Sequence, residues 1–404
     1  MNDRRNSVAD ISDRIVNTMK PSLVIEYCYG IFRYRINGGS LTPIDFRMKI
    51  IAVIITSLWI LVAYLFAIMP TVKILFNKTV VAETVIFALH WITAVLHFAL
   101  TNFTTLFLRA KDNQKLIEIF AKIDILLHAN MNDGFYEASC GECKKIFFVF
   151  IIFCISIITV NFSLEGHINT MDILYIFIYF KTKIEIVLFC EIMFFLRHRM
   201  LLIKGYLTKF ISGRKQRVSY ACRKSINDTR RDKYFNFIGQ VSDRNKKILD
   251  LASAFNNAGE AFKMINAIYN YIVLMMIISA FVFILTVFWF CLSLIKSNNQ
   301  VIVTLLKTVF WSIAELCSII IISYYCEKLL EVKEEINMIL NNIICDEITK
   351  NMRKQTKVFI ELTEIWSMDF NISDMFLVNK KLVLKFISIS TSCLIVLIQI
   401  SHLL

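Results

Sequence analysis

Long apolar runs separated by charged stretches dominate the chain. Seven runs approach or exceed the roughly 20 residues a helix needs to cross the hydrocarbon core of a bilayer. They lie at about 50–69, 80–107, 146–165, 171–196, 271–295, 301–326 and 382–404. The three prolines, Pro21, Pro43 and Pro70, all precede the second run, so no later helix is interrupted by one. The pattern predicts an all-α polytopic membrane protein with seven transmembrane helices. Helical rhythm continues between the runs. In "EKLLEVKEEINMILNNIICDEI" the apolar residues Leu329, Val332, Ile336, Ile339 and Ile343 recur three or four apart. Their mixed-charge surroundings predict helices that extend from runs four, five and six and pack on one another. Four regions follow: an N-terminal segment at 1–49, six spans with their loops at 50–326, a helical anchor at 327–381 and a last span at 382–404.

Composition agrees. Of 404 residues, 57% are hydrophobic and 34 are Phe, and mean hydropathy is +0.60; soluble chains are less apolar. The opening "MNDRRNSVADISDRIVNTMKPS" has no apolar core ahead of a small-residue cleavage site, so no secretory signal peptide is expected.

Charge sets orientation. The net charge is +13, but the basic residues are sorted by loop. Leaving out the long connection 197–270, one set of loops carries 22 Lys and Arg and the alternate set carries 3. The positive-inside rule then predicts a cytosolic N-terminus and an extracellular C-terminus. The basic surplus is read as topology, with membrane lipid as the partner and no nucleic acid. The orientation is opposite to that of G-protein-coupled receptors, which also usually carry Pro in their later helices.

Chemical motifs are few. There is no metalloprotease, nucleophile-elbow or phosphate-loop pattern, and no enzyme, cofactor or metal is expected. "CGEC", Cys140 to Cys143, lacks two further ligands at zinc spacing. The predicted outer loops hold none of the eleven cysteines. The sequon at Asn77 falls in the first of these loops and is a glycosylation candidate.

Charges inside the spans are costly and mark function or pairing. Run four carries Lys181, Lys183 and Glu185 near mid-membrane. Lys181 and Glu185 are four apart and can pair; Lys183 projects elsewhere and needs another partner. Run two offers Glu83, His90 and Trp91, run five Trp289, and run six Lys307 and Trp311, with Glu315 deeper. Together they predict a pocket open to the outside. Each residue singly is also accounted for as a structural ion pair or a packed ring.

The last run carries Ser388, Ser392, Ile395, Gln399 and His402, spaced 4, 3, 4 and 3. At 100° per residue they form one stripe, polar except at Ile395. Two readings fit: contact between neighbouring helices, or a pore shared between subunits with an amide ring at Gln399 and an apolar constriction at Ile395.

The stretch "MFLVNKKLVLKFISISTSCLIVLIQI", Met375 to Ile400, resembles the insect gustatory receptors. Their seventh helix ends in Thr-Tyr, five apolar residues, then Gln-Phe. Ser392-Cys393, Leu394 to Ile398 and Gln399-Ile400 occupy those positions, and Phe376 and Leu377 resemble the family's approach to this helix. The spacing and the Gln match; the Thr-Tyr pair and the final Phe do not. The resemblance implies a tastant-gated cation channel in the plasma membrane of sensory neurons. It implies a homo- or heterotetramer with other such receptors, with the seventh helices lining the pore at Ser388, Ser392, Ile395 and Gln399. The departures point to a divergent, bitter-type member. Odorant-receptor-like channels share the topology, and a seven-helix receptor signalling through cytosolic partners is the other alternative.

Overall fold

The computed structural model describes residues 8–37, 40–42, 44–65, 81–129, 133–165, 170–222, 246–297, 301–345, 350–373 and 375–403. Two short helices, α1 (Val8–Thr18) and α2 (Lys20–Cys28), precede a hairpin of β1 (Arg35–Asn37) and β2 (Ser40–Thr42). Then come α3 (Phe46–Ala63), α4 (Val81–Phe103), α5 (Ala110–Leu126) and α6 (Asp133–Glu165). Three very long helices follow: α7 (Thr170–Cys222), α8 (Lys246–Ser297) and α9 (Val301–Cys345). The chain ends with α10 (Lys350–Ile365), a hairpin of β3 (Asn371–Ile372) and β4 (Phe376–Leu377), and α11 (Lys380–Leu403). The two hairpins are additions to the all-α expectation.

Helices of 53, 52 and 45 residues rise about 70–80 Å at 1.5 Å per residue, more than twice a hydrocarbon core of roughly 30 Å. They therefore continue beyond any membrane they cross, as the periodicity of the 327–345 stretch predicts. Leu329, Val332, Ile336 and Ile343 are buried, and Ile339 packs against the same core. That core gathers Phe120 of α5, Phe195 of α7, Phe255 and Ile265 of α8, and Phe359 of α10. Asp124 of α5 is tied into it, accepting from Arg199 (2.6 Å) and the Tyr136 hydroxyl (2.9 Å). Burial pushes this carboxyl above the ordinary carboxylate value, against the opposing pull of the Arg199 guanidinium.

Among the described residues, five helices are long and apolar enough to cross a membrane by length and composition: α3, and the segments Trp91–Leu108, Gly134–Val160, Ile248–Trp289 and Val309–Cys345. α3 is the most peripheral of them. Ile50, Ile54, Leu58 and Leu61 are exposed, and Thr56 accepts a hydrogen bond from Asn102 of α4 (3.0 Å). The other two predicted spans, 171–196 and 382–404, are helical as α7 and, up to Leu403, as α11. Lys181, Lys183, Glu185 and Glu191 break the apolar character of the first.

The N-terminal segment is not a detached tail. Ile11, Ile15, Val16, Met19 and Leu23 enter the main core, and Arg33 reaches Glu185 of α7. The sequence reading separates residues 1–49 from mid-membrane Glu185. The fold brings them to one level, because α2 and the following loop pack alongside α7.

Candidate functional site

On a helix, residues four apart lie about 40° apart and residues two apart about 200°. This geometry splits the charges of α7. Lys181 and Glu185 face one side and form an ion pair (3.3 Å). Arg33 donates to Glu185 and, through Nε, to Glu26 (2.8 Å). All four side chains are fully buried. The Arg33 guanidinium also lies over the Tyr269 ring at 5.8 Å, and Lys181 over Phe98 at 5.5 Å. Six residues further along α7, the Ser22 hydroxyl donates to Glu191 (2.7 Å). This cluster joins the N-terminal segment to α7.

Lys183 faces the other side. Its ammonium donates to Glu315 of α9 (2.9 Å) and to the Ser318 hydroxyl (2.8 Å), and lies 4.5 Å from the Tyr179 ring centre. Here α4, α7, α8 and α9 leave a cavity lined by Ala94, His97, Ile178, Tyr179, Thr182, Lys183, Met276, Ser279, Phe283 and Glu315. Its free volume is about 20 Å³, room for one or two waters. A pocket holding a drug-sized ligand is at least roughly 300 Å³, so an organic occupant must part the walls.

The predicted pocket residues divide accordingly. Lys183 lines the cavity. Trp311 stands behind it, edge-on to Tyr179 (4.7 Å) and tilted against Phe283 (6.4 Å). Trp91 is buried in the apolar cluster that contains Ala94 and Ile178. Lys181 and Glu185 belong to the charge cluster, and half-buried Trp289 is not among the lining residues. Glu83 and His90 lie on α4 and Lys307 on α9, but their side chains fall outside the described ones, as does Asn77 altogether.

Sequence reasoning missed His97, Thr182 and Ser279. A signal for His97 existed: it lies seven residues, nearly two full turns, below His90 on the same face of α4. Thr182 and Ser279 carry no pattern that separates them from other small polar residues in spans.

Among its described side chains, α11 is buried along one edge only. Leu382, Phe386 and Ser390 face the rest of the chain. Ser388, Ser392, Ile395 and Gln399 are all exposed, Ile395 by 53%. These four positions of the predicted stripe are therefore turned away from the rest of the chain; the side chain of His402 lies outside the described ones.

The sequence profile of the 7tm chemosensory receptor family matches residues 19–403. The chain belongs to this family. It is a family of receptors, not enzymes, and its match extends over the C-terminal stretch that resembles the insect gustatory receptors. The receptor is similar in fold to the insect olfactory receptor OR5 from Machilis hrabei, with a TM-score of 0.66 at 9% identity. The similarity covers 97% of this receptor and 100% of that chain. No curated protein matches the receptor in a sequence comparison.

Proposed function

We propose that this receptor is a subunit of a tastant-gated, nonselective cation channel of the gustatory type, in the plasma membrane of sensory neurons. In this reading seven helices cross the membrane, α3, α4, α6, α7, α8, α9 and α11. The N-terminus is cytosolic and the C-terminus extracellular. Four subunits, identical or mixed, surround a pore lined by Ser388, Ser392, Ile395 and Gln399. The tastant enters from outside past Glu83, His90, Lys307 and Trp289 and occupies the cavity at Lys183, backed by Trp91 and Trp311. The Lys181–Glu185 pair holds the wall in place. Asn77 is the glycosylation site on the outer face.

The observation that carries the reading is the exposed polar stripe of α11. The Ser392 hydroxyl already donates to the Ser388 carbonyl, but a helix that turns an amide such as Gln399 away from its own subunit, in a lipid environment, needs a polar partner for it. One stripe encloses no pore, and several around an axis do. Membership of the chemosensory receptor family and the loop charges support the same arrangement.

The test is electrical. The receptor is expressed in oocytes, panels of tastants are applied, and currents are recorded with G-protein signalling blocked. Persistent ligand-evoked cation currents are expected, and Gln399→Ala should alter their permeability ratios or block. Responses that vanish with G-protein block favour the seven-helix receptor signalling through cytosolic partners and overturn the channel.

A further inference from the structure

We infer that His97 is the specificity-determining contact of the cavity. We further infer that the cavity takes an uncharged small molecule bearing one hydrogen-bonding oxygen or nitrogen on an apolar body. The inference rests on the reading that this cavity receives the tastant.

Three observations lead there. The two charged groups that line the cavity satisfy each other: Lys183 and Glu315 are bonded at 2.9 Å, and Ser318 takes a second Lys183 proton. Neither charge is left over to offset the desolvation of a charged ligand, which burial penalises heavily. His97, by contrast, is only 3% exposed, and its Nε2 has no hydrogen-bond partner among the described residues. A buried polar atom without a partner is costly, and such atoms mark places where a partner arrives. An imidazole nitrogen accepts from a hydroxyl or donates to a carbonyl according to its tautomer, so either group completes it. Finally, Ala94, Ile178, Met276 and Phe283 supply an apolar enclosure. Met276 is the most adaptable of these side chains, and its movement is the simplest way to widen a space of about 20 Å³.

The test is made on purified full-length receptor in detergent by thermal melting, with six probes of similar size. Benzyl alcohol, acetophenone and benzamide are uncharged and hydrogen-bonding, toluene is apolar, and benzoate and benzylammonium are charged. At least one of the first three should raise the melting midpoint at concentrations where the other three do not. His97→Phe keeps a ring and removes the nitrogens. It should raise the concentration for half-maximal stabilisation by about tenfold or more, while His97→Gln, which keeps a hydrogen-bonding group, should recover part of that loss. Both variants must melt cooperatively for the comparison to stand. The mild His97→Asn replaces either one that does not.

Stabilisation by the charged probes, equal stabilisation by toluene, or unchanged sensitivity in the variants overturns the inference. So does the absence of any shift with any probe, which leaves Nε2 to a resident water. Failure of the channel reading is separable. Ligand-dependent melting that requires His97, together with no current in oocytes, keeps this inference and rejects the channel. Currents indifferent to His97 do the reverse.

Discussion

Lys183 and Glu315 form a pair in which each side chain is buried and each depends on the other. Their side chains are 5% and 8% exposed. Removing one partner strands the other, at a cost on the order of 3–5 kcal/mol, whereas replacing both with apolar groups of similar volume is often neutral. Lys183→Ala should therefore lower the melting midpoint and surface yield sharply, and the double change Lys183→Met with Glu315→Leu should restore most of both. A single variant as stable as the native receptor would show that the pair is solvated. The pairing was half legible. The 100° step of a helix sends Lys183 away from Lys181 and Glu185, whatever the fold. Which acid it meets depends on how α7 and α9 are set side by side, and no local rule contains that distance. His97 follows the same logic: its helix face is readable, but the cavity it lines exists only once four helices close around it.

At the scale of elements, the mounting of α11 sets how a movement of the bundle would reach its exposed stripe. The connector before α11 is fastened to α8. The Trp366 indole donates to Asn256 (3.0 Å), and the Ser373 amide donates to Asn270 (2.8 Å). Phe370 is buried against Phe189 of α7 and Phe262 of α8. Phe189 in turn packs edge-on to Tyr269, the ring beneath Arg33. The seat of Trp366 requires glycine. A methyl group at Gly259 would fall on the indole ring itself, so that ring or the helix must move. Gly259→Ala is expected to destabilise the receptor by about 1–3 kcal/mol, as overpacking does, and to shift the ligand concentration for half-maximal current. Thermal melting and dose–response recordings read the two effects, and a variant that matches the native receptor in both would remove the connector from the gating path. None of this mounting shows in the sequence, where Gly259 is one small residue in an apolar helix and Trp366 follows a charged one.

For the molecule as a whole, the loop charges make a prediction that needs no ligand. An epitope tag placed after Leu404 should stain on intact cells, and one placed before Met1 only after permeabilisation. The opposite pattern would invert the proposed topology and with it the side from which the proposed ligand enters. The overall class was legible because a bilayer imposes one-dimensional rules: span length, loop charge and the absence of proline after Pro70 can each be read along the chain. The extension of α7, α8 and α9 beyond the apolar runs was legible too, since helical periodicity persists there.

By itself, then, the sequence determined helices, their rough ends, the charge asymmetry of the loops and the polar stripe of the last one. All of these are consequences of local spacing. Only the tertiary structure decided that the N-terminal segment joins the core through Arg33, that Lys183 meets Glu315, that His97 faces a cavity and that the stripe is turned outward. Each is a contact between residues far apart in the chain, selected by the packing of whole helices, and packing depends on every side chain at the interface at once.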